Sequence, residues 1–175
     1  QEPIGFVSFI LLLAVIIPAV FAPIFAPYDP YKADLSNSLS APSLSHILGT
    51  DELSRDIFSR IIFGTRTSLM MGFGPTSINL ILGALIGMYS GLAGKKTDNI
   101  IMRIVDIILS FPFMILAMAI VYNLGASLFN LFLALVLVGW ASIARVVRAE
   151  TISLKENLYI EAAKSMGAGT FSIMV

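Results

Sequence analysis

Three long tracts of this chain carry no charged residue: Ile4–Tyr28, Thr67–Gly94 and Ile107–Ala144. A helix needs about 20 apolar residues, at 1.5 Å rise each, to cross the hydrocarbon of a bilayer. Inside that hydrocarbon every backbone polar group must be bonded internally, so tracts of this length are expected to be helices. The rest of the chain agrees. Of 175 residues 57% are hydrophobic and 13% charged, with a mean hydropathy of +0.90. A soluble domain of this size cannot hide so much apolar surface. The expected class is an all-α integral membrane protein, a polytopic helical bundle.

Taken in order, the first tract gives a span over residues 4–25, its far half bent or ended by Pro18, Pro23 and Pro27. A secretory signal is the rival reading, but its apolar region is shorter and needs a basic flank, which Gln1-Glu2 does not provide. Residues 26–66 are expected to lie outside the membrane. Within them 51–63 has helical periodicity, with Leu53, Ile57, Phe58, Ile61 and Ile62 on one stripe and Glu52, Arg55, Asp56, Ser59 and Arg60 opposite. Thr50 is the expected N-cap and Gly64 the expected end of this amphipathic surface helix. The second span is 67–92. Gly83, Gly87 and Gly91 recur every four residues there, a smooth face for close helix packing. After the charged turn Gly94–Asn99, Arg103 and Asp106 can pair with each other. The third tract is too long for one span, and Asn123–Asn130 interrupts it. It divides into a third span, 100–122, bent at Phe111-Pro112, and a fourth, 129–147. Trp140 fits either an interfacial anchor or a bundle position.

Lys95, Lys96, Arg103, Arg145, Arg148, Lys155 and Lys164 fall on one side of this scheme, and Lys32, Arg55, Arg60 and Arg66 on the other. The excess of basic residues assigns the first side to the cytoplasm. Arg145 and Arg148 are expected to anchor among lipid headgroups, with a contact to another subunit as the alternative. With no cysteine and one histidine, His46, neither disulfides nor a His- or Cys-built metal site is expected, and no cofactor. A net charge of zero gives no reason to expect nucleic acid. No nucleophile with a base, paired carboxylates or phosphate loop is apparent, so no catalytic residue is expected. Asp51, Glu52 and Asp56 alternate with arginines and read as solvated helix charges.

The last tract leads into Tyr159-Ile-Glu-Ala-Ala-Lys-Ser-Met-Gly-Ala168, within residues 150–175. On a helix Tyr159, Ala162, Ala163 and Met166 share a face. Ala162, Ala163 and Gly167 are small enough for another surface to come close, and Gly167 suits a helix end. Glu161 is either a partner for Lys164 or Ser165 on its own helix or a contact for another protein.

Several of these residues together resemble one family. His46-Ile-Leu-Gly-Thr-Asp51, Ser54-Arg-Asp-Ile-Phe-Ser-Arg60 and Gly64-Thr-Arg-Thr-Ser-Leu69 stand in the order seen before the second span of dipeptide/oligopeptide/nickel ABC permease subunits. Asp98 to Pro112, Gly139-Trp140, Ala144-Arg145, Arg148 and Tyr159-Ile-Glu-Ala-Ala163 with Gly167 continue the likeness. The pattern is that of the second of two homologous permease subunits of a bacterial importer, with Ser54 where the family usually has glycine. The resemblance implies a multi-pass subunit of the cytoplasmic (inner) membrane, with its N-terminus and the Glu161 loop in the cytoplasm. It implies about four spans here, an external amphipathic helix and a cytoplasmic coupling helix. Its implied partners are a second permease subunit, two cytoplasmic ATP-binding subunits, an external solute-binding protein and the lipid bilayer. Tyr159, Glu161, Ala162, Ala163 and Gly167 would dock on an ATPase, and ATP hydrolysis would reside in that partner. The chain starts at Gln1, and the family pattern runs on through two more spans, so a fragment truncated at both ends is expected. An ion-coupled transporter or channel subunit is the alternative. The three uncharged tracts weaken it, since such transporters usually keep ionisable groups within their spans.

Overall fold

A computed structural model of the protein describes residues 3–33, 37–167 and 169, with only the backbone of Pro3, Glu161, Ala163 and Lys164. Its described regular elements are helices, α1 (Pro3–Val20), α2 (Ala22–Phe25), α3 (Ile57–Leu92), α4 (Lys95–Leu109), α5 (Phe113–Leu124), α6 (Leu128–Lys155) and α7 (Leu158–Ser165). They divide into two units, residues 1–72 and 73–175.

In the first unit the expected 4–25 span is two pieces. Pro23 has no N–H to offer Ala19, so the helix opens at Phe21 (φ −97°, ψ 31°) and restarts as α2 with proline in its first turn. Pro18 is accommodated inside α1. Phe6, Phe9, Leu11 and Ile24 remain exposed, as side chains facing lipid or another helix would be.

The expected amphipathic helix over 51–63 is not formed as such. The Asp51 carboxylate accepts the N–H groups of Leu53 and Arg55 at 2.9 Å, and the Asp51 carbonyl accepts from Ser54 at 2.9 Å. A short side chain that bonds its own backbone this way favours a turn over a helix. Ser54 consequently sits at φ +59°. The cap is Asp56 in place of Thr50: its Oδ2 accepts the Ser59 N–H at 2.8 Å. Thr50 instead accepts from the Ser40 N–H at 2.9 Å and pairs with Asp56 in an isolated bridge. Nor does Gly64 end the helix. From Ile57, α3 runs through it to Leu92, with Pro75 inside. Continuing the helix keeps every backbone group bonded where a break would expose several. An interior glycine costs only about 1 kcal/mol.

In the second unit α4 and α5 meet at 83° across Ser110–Pro112. Pro112 supplies no N–H and drives Phe111 out of helical backbone. The expected bend is therefore a sharp elbow. Gly125 then takes φ +97° and ψ 152°, a conformation essentially closed to residues with a Cβ. Ser127 caps α6 by accepting the Asn130 N–H at 3.1 Å, and the Asn130 carboxamide donates to the carbonyls of Leu124 and Gly125 at 2.8 Å. Both α4 and α5 pack on α6. The core, Val105, Ala141 and Ala144, lies where α4 and α6 meet, with Ile86 of α3 and Trp140 against it.

By length and composition α3 and α6 can each cross a membrane, and α4 with α5 can make a third crossing if the bent pair is one span. The apolar stretch of α1, Ile4–Val20, is shorter. At 28 residues α6 is about 42 Å long, well beyond the roughly 30 Å hydrocarbon core. Its last turns therefore project past the 129–147 segment expected for the span.

Candidate functional site

The C-terminal half of α3 lies against α6 so closely that side chains are excluded. A Cβ on Gly83 would come 2.7 Å from Ile143 Cβ, one on Gly87 2.9 Å from Val147 Cβ, and one on Gly91 2.8 Å from Thr151 Cβ. Real Cβ atoms do not approach that closely. The seam extends beyond the three glycines picked out by their spacing. On α6, Gly139 is where the Asn79 carboxamide occupies the place of a Cβ, and Asn79 Nδ2 donates to the Leu135 carbonyl at 3.1 Å. Asn79 is 7% exposed. Its Oδ1 is buried without a hydrogen-bond partner.

Past this seam the charged residues pair across helices. Arg148 on α6 donates through Nε and Nη2 to the two carboxylate oxygens of Asp98, in the first turn of α4. The fully buried Ser90 of α3 donates to Asp98 Oδ1 at 2.7 Å. Lys155, the last residue of α6, donates to the Gly91 carbonyl at 2.9 Å. Arg145 pairs with Asp106 of α4. Asp106 thus faces α6, in place of the expected pairing with Arg103, and each arginine holds a carboxylate of α4, with the Arg145 side chain half exposed. Nothing in local spacing signals these pairs, because the partners stand 39 and 50 residues apart.

Beyond Lys155 the chain turns at Glu156–Asn157, where the Asn157 N–H and Nδ2 both donate to the Leu154 carbonyl at 3.0 Å. It then forms α7. Tyr159 is 63% exposed, Ala162 is exposed, and Met166 is 84% exposed. Tyr159 and Ile160 also line a cavity of about 280 Å³ with Met88, Leu92, Thr151 and Leu154. Gly167 lies just past the helix at φ +92°, and a Cβ there would meet nothing within 4 Å. The side chains of Glu161 and Ala163, and any pairing of Glu161 with Lys164, lie outside the described residues.

The first unit holds a separate polar cluster that local periodicity did not reveal. His46 Nδ1 lies 3.1 Å from Asp56 Oδ1, and Ser59 Oγ donates to Asp56 Oδ2 at 2.7 Å. The Asp56 side chain is 1% exposed, so it is a buried cap, not the solvated charge expected. Burial raises its pKa, but the donors on Ser59 and His46 outweigh burial and hold it below the ordinary value. The Ser59 hydroxyl points to the carboxylate and not to the imidazole, so the trio lacks the nucleophile-to-base contact of a hydrolase. Among the described residues no group of three or more His, Cys, Asp or Glu is placed to hold a metal ion.

Comparison with known proteins bears on the whole chain. Residues 83–175 match the family described as binding-protein-dependent transport system inner membrane component. Residues 1–42 match the N-terminal transmembrane domain of oligopeptide transport permease C. The chain is 37% identical, over 99% of its length and 58% of the relative's, to the probable D,D-dipeptide transport system permease protein of Escherichia coli strain K12. It is 35% identical to the oligopeptide transport system permease protein of Bacillus subtilis, over 99% of this chain and 57% of that one. With the nickel transport system permease protein of Escherichia coli strain K12 the identity is 40%, over 93% and 61%. The chain thus spans somewhat more than half the length of these relatives.

Proposed function

Since the chain belongs to the family of binding-protein-dependent transport system inner membrane components, we propose that it is a permease subunit of an ATP-driven importer. In this reading it sits in the cytoplasmic (inner) membrane of a bacterium and moves peptides or a related small solute inward. It assembles with a homologous permease subunit, two cytoplasmic ATP-binding subunits and an external solute-binding protein. The subunit itself is non-catalytic, and ATP is hydrolysed by its partners. The N-terminus and α7 face the cytoplasm. Ion-coupled transport by this chain is the weaker reading, because the relatives are named as permease proteins of transport systems.

One observation carries the proposal. α7 is a short helix held on the end of α6 with Tyr159 and Ala162 turned to solvent, where another protein's cleft can take it. The docking set is Tyr159, Glu161, Ala162, Ala163 and Gly167. A joint that transmits force needs a close fit, and a large side chain at a small buried position costs about 1–3 kcal/mol. Ala162→Trp adds bulk on the exposed face while leaving α7 helical. Gly167→Trp adds bulk and also forces a side chain into left-handed backbone. Both are expected to lower ATPase occupancy roughly 5- to 150-fold with the subunit still inserted, and Glu161→Ala to do so less completely. The readout is co-purification of the ATP-binding subunits and solute-stimulated ATP hydrolysis in the full complex. Wild-type values for both tryptophan variants would show that α7 is not the docking helix.

A further inference from the structure

Arg148 stands where three helices join. Its backbone is held by the α3 glycines: a Cβ on Gly87 would lie 3.0 Å from the Arg148 nitrogen, and one on Gly91 3.2 Å from the Arg148 oxygen. Its side chain reaches the other way and grips both oxygens of Asp98 on α4. Ser90 closes the triangle from α3. The Asp98 and Arg148 side chains are 14% and 28% exposed, against 64% and 50% for Asp106 and Arg145. The second pair is therefore solvated and contributes little. The first is a planar two-point contact that fixes orientation as well as distance.

We propose that Asp98 and Arg148 are positioning residues for α7, clamping the end of α6 to α4 so that a displacement of α7 moves both helices together. This rests on the reading of α7 as the ATPase-docking helix. Below Arg148 only about two turns of α6 remain, and Lys155 ties the last of them to the Gly91 carbonyl. That segment is therefore bracketed at both ends, which limits the motion it can absorb by bending. What yields is the elbow at Ser110–Pro112, where α4 breaks from α5 at 83°. Movement of α7 is passed through the clamp to α4 and opens or closes that elbow.

The test uses the full-length subunit in its complete transporter, reconstituted in vesicles with the binding protein outside. Asp98→Asn, Arg148→Gln and the double variant are compared with Arg145→Gln as control. Solute moved per ATP hydrolysed is measured together with retention of the ATP-binding subunits. The expected result is that all variants insert and retain the ATPases. Coupling falls about tenfold or more in both single variants and in the double variant, and Arg145→Gln stays near wild type. The double variant is decisive, because it strands no lone charge yet still lacks the clamp. Wild-type coupling in the double variant overturns the inference, even where a single variant fails to insert. A parallel fall in hydrolysis, transport and ATPase retention also overturns it, since that is what a merely structural pair would do. If the wild-type subunit retains no ATPase at all, the importer reading fails first and takes this inference with it.

Discussion

At Gly139 there is no room for a single methyl, because the Asn79 carboxamide fills the place a Cβ would take. Gly139→Ala should therefore destabilise the α3–α6 pair by about 1–3 kcal/mol through overpacking. Asn79→Ala in the same chain should recover most of that, since it removes the colliding group together with a buried carbonyl oxygen that has no partner. Unfolding in detergent measures this as a double-mutant cycle, and additive effects would contradict the geometry. Gly87→Leu is expected to be more damaging than Ile86→Leu or Met88→Leu, because even a Cβ at Gly87 would come 2.5 Å from the Ala144 carbonyl oxygen of α6. Ser54 presents the opposite case. It holds φ +59° and buries a hydroxyl with no hydrogen-bond partner, at a position where the resembling family usually has glycine. Ser54→Gly relieves both and should stabilise the 26–56 loop by about 1 kcal/mol, seen as slower proteolysis there. Faster proteolysis would mean that the hydroxyl has a use.

Among the elements, the turn at Asp51 shows how one carboxylate decides where a helix begins. Burial raises the Asp51 pKa, but hydrogen bonds from the Arg55 backbone and guanidinium and from the Leu53 N–H bring it down to about 2. A carboxylate held below its unfolded value contributes stability that is complete above that value, near 3.8. That contribution is lost as the pH falls through the folded value. Resistance of the 26–56 loop to pepsin should therefore hold as pH is lowered to about 4 and decline between about 4 and 2. Asp56, also lowered, adds to the decline on the acid side of its ordinary value, so Asp51→Asn should shrink the decline without abolishing it. An unchanged profile in Asp51→Asn would remove Asp51 from the account. The same competition explains why α3 starts at Ile57 and not at Asp51.

For the whole molecule the orientation across the membrane remains the governing proposal. It rests on seven Lys and Arg residues on the α7 side against four on the other. The chain has no cysteine, so single reporters can be placed cleanly. Leu44, fully exposed, and Lys96, exposed in the first turn of α4, are suitable sites. In intact cells an impermeant thiol reagent should label Leu44→Cys and spare Lys96→Cys until the membrane is opened. The reverse pattern would invert the topology and place α7 beyond the reach of any cytoplasmic ATPase.

The class was readable from the residues alone because hydrocarbon imposes one rule on every backbone that crosses it: uncharged tracts of sufficient length become helices. The elbow was foreshadowed by Pro112, and the break before α6 by Asn123–Asn130, since a missing N–H or a strained turn acts locally. The four-residue spacing of Gly83, Gly87 and Gly91 was equally visible as a pattern. Its counterpart on α6, Gly139 facing Asn79 of α3, was not, because a close approach belongs to two helices and one string of residues shows only one of them at a time. Helix periodicity over 51–63 was misleading for a related reason. Apolar spacing reports the face a helix would bury, while Asp51, by bonding its own backbone, held residues 51–56 out of the helix, which begins at Ile57. The pairing of Asp98 with Arg148 lay furthest from view. Charges at helix ends have many possible partners in sequence, and only the packing of α4 and α6 around Val105, Ala141 and Ala144 brings these two together.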